Sequence, residues 1–297
     1  MRAERLPVPV VVVGNLIVGG AGKTPTVMAV VALLREQGWT PGVVSRGYGR
    51  SGDTILSVAR DTPAVQCGDE PLLLALRTGA PVVVGRDRAG AGRELLRRHP
   101  EVNLVVADDG LQHWRLARDV QLTVFDERGA GNGWLLPAGP LRERVPAQVP
   151  PRTLVIYNAA TPSTPWPGLL AQRSFGGALA LGDWWAGKAP DRATIATLAG
   201  RPLVAAAGLA RPGRFFDMLR AEGLTISELP LPDHHDYAVL PWPANTPDVI
   251  LTEKDAVKLP PQRALGATRV WVARLDFRFD PSALCALLPR PPRAVKD

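Results

Sequence analysis

The chain has 297 residues, 46% of them hydrophobic and 21% charged, a balance that suits a folded globular protein and excludes a disordered one. At roughly 150 residues per domain it allows one large domain or two small ones, and its 29 glycines and 30 prolines lack the period of a collagen. Lys and Arg outnumber Asp and Glu by 35 to 28, a net charge of +7, which fits an anionic partner (nucleic acid, nucleotide phosphate or acidic lipid) or simply an Arg-rich composition.

Two cysteines, Cys67 and Cys285, are too few for a metal cage or a disulfide scaffold and fit a reducing cytoplasm. The longest apolar runs, Val8–Val13 and Val27–Leu34, fall short of the roughly 18 residues of a membrane span. The opening MRAERLPVPV has no secretory apolar core.

The elements follow in order. Val8–Val13 reads as a buried strand, and after a glycine-rich turn Lys23–Gln37 reads as a helix with Val27, Val30, Val31 and Leu34 on one face. Gly42–Ser45 is a second strand, Leu72–Arg77 a helix, Pro81–Gly85 a strand and Arg86–Arg98 a helix. Val102–Ala107 is a strand that stops at Asp108; Gln121–Phe125 and Thr153–Tyr157 are two more. Ala159–Pro190, rich in Pro, Gly and Trp, reads as an irregular passage. The rhythm resumes with a strand at Pro202–Gly208, a helix near Gly213–Glu222, a strand at Asp248–Thr252, a short helix over Lys254–Leu259 and a strand at Arg269–Ala273. The tail PRPPRAVKD is expected to fray. Repeated β-α-β units predict an α/β fold with a parallel sheet flanked by helices.

Gly14-Asn-Leu-Ile-Val-Gly-Gly-Ala-Gly-Lys23-Thr24 lies between a strand and a helix. Glycines there let backbone N–H groups turn toward phosphate oxygens, with Lys23 on the β- and γ-phosphates and Thr24 on Mg²⁺. The strict phosphate-loop pattern wants glycine where this chain has Ile17. Asp108 and Asp109, at a strand end, are where such a fold holds magnesium; either is also an ordinary turn former. Together these features mean a nucleoside triphosphate, Mg²⁺, and phosphoryl transfer or hydrolysis.

Seven segments carry a more specific resemblance: GNLIVGGAGKTP, VVSRGYGR, GDEPLLLA, VVADDGLQHWRLARD, NGWLLPAGPLRE, LPDHHDY and LTEKDAVKL, in order from about residue 8 to residue 259. The chain resembles the tetraacyldisaccharide 4′-kinase family of lipid A biosynthesis, which tolerates the missing glycine at position 17. The resemblance implies a P-loop NTPase-type core and a smaller α/β lobe, with the active site between them. It implies transfer of the ATP γ-phosphate to the 4′-hydroxyl of a tetraacyldisaccharide 1-phosphate, peripheral to the cytoplasmic face of the bacterial inner membrane.

By the same resemblance Asp69 is the catalytic carboxylate and His234 its partner; without it, Asp69 suits a helix N-cap and His234 a polar turn. Gly19, Gly20, Ala21, Gly22, Lys23 and Thr24 bind ATP, and Thr24, Asp108, Asp109 and Glu143 serve the metal. Arg142 is placed to neutralise phosphate. Ser45, Arg46 and Tyr48 follow a strand's C-terminal end, the ligand-binding edge of an open parallel sheet, and suit the anionic lipid; Arg86 and Arg88 are similar candidates. Thr252–Asp255 is read as near the nucleotide. The expected organisation is a P-loop core lobe over 1–158, an inter-lobe passage over 159–200, and over 201–297 the continuation of the fold with the smaller lobe.

Family members carry some tens of residues before the first strand, including an amphipathic segment for the membrane. Here the strand begins near Pro7, which points to a shortened start or an upstream one. Trp134, Trp184 and Trp185 are expected to be exposed and to offer a membrane interface. Two other readings stand beside the kinase: a P-loop GTPase or metallochaperone, and a nucleotide- or nucleic-acid-binding module. The chain has no Lys/Arg block and no aromatic stripe, so nucleic acid is not an expected partner, and no obligatory protein partner is implied.

Overall fold

The computed structural model describes residues 3–292, so the last part of the tail expected to fray lies outside the described residues. The chain divides into two compact units. The first comprises the described residues up to Thr62, then Gln66–Gln172, and the described residues from Phe277 on; the second comprises Pro63–Val65 and Arg173–Asp276.

In the first unit the elements are β1 (Val10–Gly14), α1 (Lys23–Glu36), β2 (Pro41–Ser45), β3 (Leu56–Val58), α2 (Ala64–Cys67, at the division), α3 (Asp69–Thr78), β4 (Val82–Val84), α4 (Arg88–Arg98), β5 (Leu104–Asp108), β6 (Val120–Asp126), β7 (Thr153–Asn158) and β8 (Leu169–Leu170). They build one eight-stranded sheet in the order β3-β4-β2-β5-β1-β6-β7-β8, parallel except for the β3–β4 pair. Val10–Val13 are wholly buried because helices cover the sheet. Each such side chain contributes about 1.5–3 kcal/mol of transfer free energy.

The strand order sets the site. In register, Val13 lies beside Asp108 and Val44 beside Ala107. Three C-terminal strand ends therefore adjoin: β2 delivers Ser45, β5 delivers Asp108, and β1 delivers the glycine-rich turn.

The second unit holds, apart from Gln172, Phe277 and Arg278 at its two boundaries, β9 (Gln172–Ala180), α5 (Leu181–Trp185), α6 (Ala193–Leu198), β10 (Leu203–Ala207), α7 (Gly213–Ala221), β11 (Ile226–Pro230), β12 (Asp248–Thr252), α8 (Glu253–Ala256) and β13 (Arg269–Arg278). Its five strands run in the order β11-β10-β12-β13-β9. Phe215, Phe216 and Leu219 of α7 pack with Leu203, Ala205 and Ile250 in a separate core. A last helix, α9 (Ser282–Leu287), belongs to the first unit.

The structure departs from the expected passage over 159–200. About half of that stretch is regular: the nine-residue strand β9, then α5 and α6. Gly176 and Gly177 hide the strand from a pattern search, and both are needed. A Cβ on Gly176 would sit 3.0 Å from the Asp276 carboxylate, and Gly177 has φ +113°. The expected break at 158/159 falls instead near 172/173, and the chain from Phe277 on returns to the first unit.

Candidate active site

The turn after β1 is shaped by its backbone. Gly19 and Gly22 have φ of +86° and +98°, which only glycine adopts without strain. The Asn15 amide donates to the Gly19 carbonyl at 3.3 Å and Asn158 to the Ala21 carbonyl at 2.9 Å. Arg128, paired to buried Asp126 at 2.9 Å, donates to the Val18 carbonyl. The carbonyls are thus tied back, and α1 begins at Lys23 with its N-terminus on the loop, an arrangement that attracts phosphate. Ile17 is fully buried and forms a bridge with Leu141, so the position where the strict pattern wants glycine is spent on packing.

The segment 134–143 is bound to this loop. Val18 N–H donates to the Pro140 carbonyl and Arg142 N–H to the Leu16 carbonyl, at 2.9 and 2.8 Å. Arg142 Nη1 then reaches Asp109 Oδ1 at 2.8 Å. Lys23 Nζ donates to Asn15 Oδ1 at 3.1 Å and lies 3.8 Å from the same Asp109 oxygen. Glu143 accepts from Gln112 Nε2 at 2.8 Å, and Gln112 also donates to the Asn15 carbonyl. Lys23, Asp109, Arg142, Gln112 and Glu143 are therefore one connected polar network.

Asp108 is buried. Its Oδ2 accepts from the Ser45 hydroxyl at 2.9 Å, and its Oδ1 is buried with no hydrogen-bond partner. Burial, then the Glu70 and Asp109 charges, push this carboxyl up to about 7; the Ser45 hydrogen bond and Lys23 oppose the rise. A buried carboxylate oxygen without a donor fits a divalent cation. Among the described residues no three His, Cys, Asp or Glu side chains form a ready-made metal cage. Mg²⁺ takes one or two carboxylates and fills its shell from phosphate and water.

Asp69 is buried at the first turn of α3. The cap position itself is Gly68, with no side-chain cap, so Asp69 is not the N-cap; its Oδ1 accepts from the Glu70 N–H at 3.0 Å. The loop after β2 packs on this turn: a Cβ on Gly68 would lie 3.0 Å from the Tyr48 carbonyl. Of the three residues expected at the lipid, Arg46 is exposed and Tyr48 is 67% exposed, while Ser45 is buried on Asp108. Arg86 is exposed and pairs with Asp53. Arg88 is buried, donates to the Gly85 carbonyl at 2.8 Å, and is pushed down to about 10 by burial.

His234 lies in the second unit at φ +60°. Its Nε2 is 3.3 Å from Lys254 Nζ, which also lies 3.3 Å from Asp233. Thr252 caps α8 by accepting from Asp255 N–H, and the wholly buried Asp255 carboxylate accepts from Gly208 N–H and the Thr252 hydroxyl. The structure thus assembles residues 19–24, 45, 108, 109 and 143 in the first unit and gives His234 its own cluster in the second. Sequence reasoning passed over Asn15, Glu70 and Gln112, although each stands inside a quoted motif, and placed Lys254 near the nucleotide without its contact to His234. It misjudged Trp184 and Trp185: Trp184 is buried with Nε1 on Glu253, and half-buried Trp185 donates to the Leu259 carbonyl.

A parallel sheet, a glycine loop opening a helix, and a buried carboxylate at the adjacent strand end define a P-loop nucleotide-binding enzyme. The comparisons narrow this to one family. The sequence profile of tetraacyldisaccharide-1-P 4′-kinase matches residues 1–291, and the chain belongs to that family. A relative from Methylibium petroleiphilum named tetraacyldisaccharide 4′-kinase is 60% identical over 290 residues, covering 96% of this chain and 81% of its own. One of the same name from Leptothrix cholodnii is 54% identical, covering 97% and 83%. The crystal structure of LpxK from Aquifex aeolicus in complex with ATP is similar at a TM-score of 0.78 and 28% identity, over 97% of this chain and 89% of that one. These likenesses favour a kinase over the GTPase or metallochaperone alternative.

Proposed function

We propose that this chain transfers the γ-phosphate of ATP to the 4′-hydroxyl of tetraacyldisaccharide 1-phosphate, as a peripheral enzyme at the cytoplasmic face of the inner membrane. Family membership names the reaction, and the buried Asp108 oxygen without a partner, beside the glycine loop, is the observation that carries it. Among the described residues no helix is long and apolar enough to cross a membrane.

In this reading the N–H groups of Gly19–Thr24 cradle the phosphates. Lys23 leaves Asn15 and Asp109 for the β- and γ-phosphates. Thr24, Asp108, Asp109 and Glu143 would hold Mg²⁺, which when bound offsets the charge of the transferring group. Arg142, already on Asp109, adds a fixed positive charge there. Asp69 accepts the proton of the 4′-hydroxyl as its oxygen bonds phosphorus and the bond to the β-phosphate oxygen breaks, releasing ADP. By the family likeness His234, held with Lys254 and Asp233 in the second unit, is proposed as the partner of that carboxylate. Arg46 and Tyr48 meet the anionic lipid, and Ser45 serves Asp108 rather than the acceptor.

The test is direct. Protein, Mg²⁺, labelled ATP and tetraacyldisaccharide 1-phosphate in detergent micelles should give a labelled bisphosphorylated lipid. Asp69→Ala should abolish it while nucleotide binding persists. Hydrolysis of ATP with no labelled lipid would overturn the reading.

A further inference from the structure

Three consecutive large apolar side chains stand in water on the first unit: Trp134 is 65% exposed, Leu135 39% and Leu136 52%. Such a tip is unfavourable unless something covers it. The chain nevertheless holds it rigidly. Asn132 Oδ1 accepts from Trp134 N–H at 3.1 Å, and Asn132 Nδ2 donates to the Ala138 carbonyl at 3.1 Å. Leu136 N–H donates to the Leu141 carbonyl, Gly139 N–H to the Leu135 carbonyl, and Leu141 N–H to the Trp134 carbonyl, at 2.9 to 3.1 Å. A Cβ on Gly139 would lie 2.2 Å from Asn132 Oδ1. The display is therefore built into the backbone and is no accident of a loose loop.

Behind the tip runs a groove of about 540 Å³ lined by Gly133, Trp134, Leu135, Leu141, Arg144 and Val145. Arg144 is exposed. The carboxylates of the adjoining network are already engaged: Asp126 by Arg128, Asp109 by Arg142, and Glu143 by Gln112. Arg144 thus sets an exposed cation beside the apolar tip.

We propose that Trp134–Leu136, with Arg144, is an interfacial anchor that seats the phosphate loop on an anionic phospholipid bilayer. This rests on the peripheral-membrane reading above and names its contact surface. A protein partner is disfavoured by size, because a stable interface needs about 800 Å² per side and three residues fall far short. A bilayer asks less: tryptophan settles at the headgroup level, leucines enter the acyl boundary, and arginine meets anionic lipid. The anchor is joined to the site, since Leu141 bridges Ile17 beneath the phosphate loop.

The test uses the full chain and vesicles of phosphatidylcholine with phosphatidylglycerol, without nucleotide or acceptor. Trp134→Ser/Leu136→Ser should weaken co-sedimentation by about tenfold or more, and Arg144→Gln should weaken it a few-fold on anionic vesicles alone. Labelled-lipid formation in detergent micelles should be unchanged in the same variants. Vesicle binding by the double variant equal to the parent's would overturn the proposal. So would unchanged vesicle binding with a raised KM for micellar acceptor, which would assign the groove to the acceptor's acyl chains. If the double variant does not fold, Leu136→Ser alone carries the test. A parent protein that binds vesicles but forms no labelled lipid would sink the kinase reading and leave the anchor standing.

Discussion

Ser45 donates its hydroxyl hydrogen to Asp108 at 2.9 Å in a site closed to solvent, joining the last residues of two neighbouring strands. That bond favours the ionised carboxylate, against burial and two nearby negative charges. Ser45→Ala should raise the Asp108 carboxyl further and cost about tenfold in Mg²⁺-dependent turnover at neutral pH, the scale of one hydrogen bond to a charged group. The alkaline shift of the pH–rate profile is the decisive reading. Ser45→Thr, which keeps the hydroxyl, should restore the profile, and an Ala profile that does not move would show the bond to be incidental.

In the metal role proposed above, the same carboxyl would link Mg²⁺ binding to protons. Held up to about 7, Asp108 must lose a proton to become a ligand. Apparent Mg²⁺ affinity should fall by about tenfold per pH unit below 7, and calorimetry in buffers of different ionisation heat should show proton release near pH 6. The stability of the metal-free protein follows the opposite course. The folded state holds a proton that the unfolded chain gives up near its ordinary value, so this contribution is present at low pH and is lost as pH rises toward 7. Asp108→Asn should flatten that part of the Tm-against-pH curve relative to the parent.

Gly22 fails twice if given a side chain. Its φ is +98°, and a Cβ would lie 2.2 Å from Asn158 Nδ2. Gly22→Ala should therefore lose nucleotide binding while α1 still forms, seen as retained helical circular dichroism with no ATP-induced rise in Tm. Adding Asn158→Ala removes the clash and leaves the backbone strain, so recovery should be partial. Complete recovery would mean that the left-handed backbone costs nothing here.

The two thiols should separate cleanly. Cys67 is buried and its thiol is pushed up to about 11, chiefly by burial, whereas Cys285 is partly exposed. At pH 8 iodoacetamide should label Cys285 first, with Cys67 protected until the first unit opens. Mass spectrometry of peptides from a timed reaction reads this directly, and equal rates would contradict the packing around α2 and α3.

Most of the first sheet could be read from the sequence because its strands are buried on both faces: Val10–Val13 and Leu104–Ala107 leave continuous apolar runs. The edge strands could not. Ile226–Pro230 carries polar residues and a proline, and Leu56–Val58 is three residues long; both are defined by a neighbour rather than by their own pattern. The same holds at the site. Lys23 and Asp108 declare themselves through local context, a glycine turn and a strand end. Gln112 and Asn15 do not, because what each does is set by a partner far along the chain: Gln112 bonds both Glu143 and the Asn15 carbonyl. The position of Ser45 at the sheet edge is legible and its bond to Asp108 is not, since sequence gives the strand but not which strand lies next to it. Trp184 looked like a surface aromatic until Glu253 supplied its indole N–H with a buried acceptor.

The chain leaves the first unit at Gln172 and re-enters it at Phe277. Only there does α9 supply the Leu287 carbonyl that Arg152 binds at 2.6 Å, and with it the wholly buried Leu284. During synthesis the second unit, continuous but for Pro63–Val65, is covalently complete while the first still lacks its closing helix. The usual N-to-C order of domain maturation on the ribosome is reversed at its final step: the nucleotide-binding half begins first and is sealed last, so a chain cut before Ser282 carries a finished second unit and a first without its closing helix.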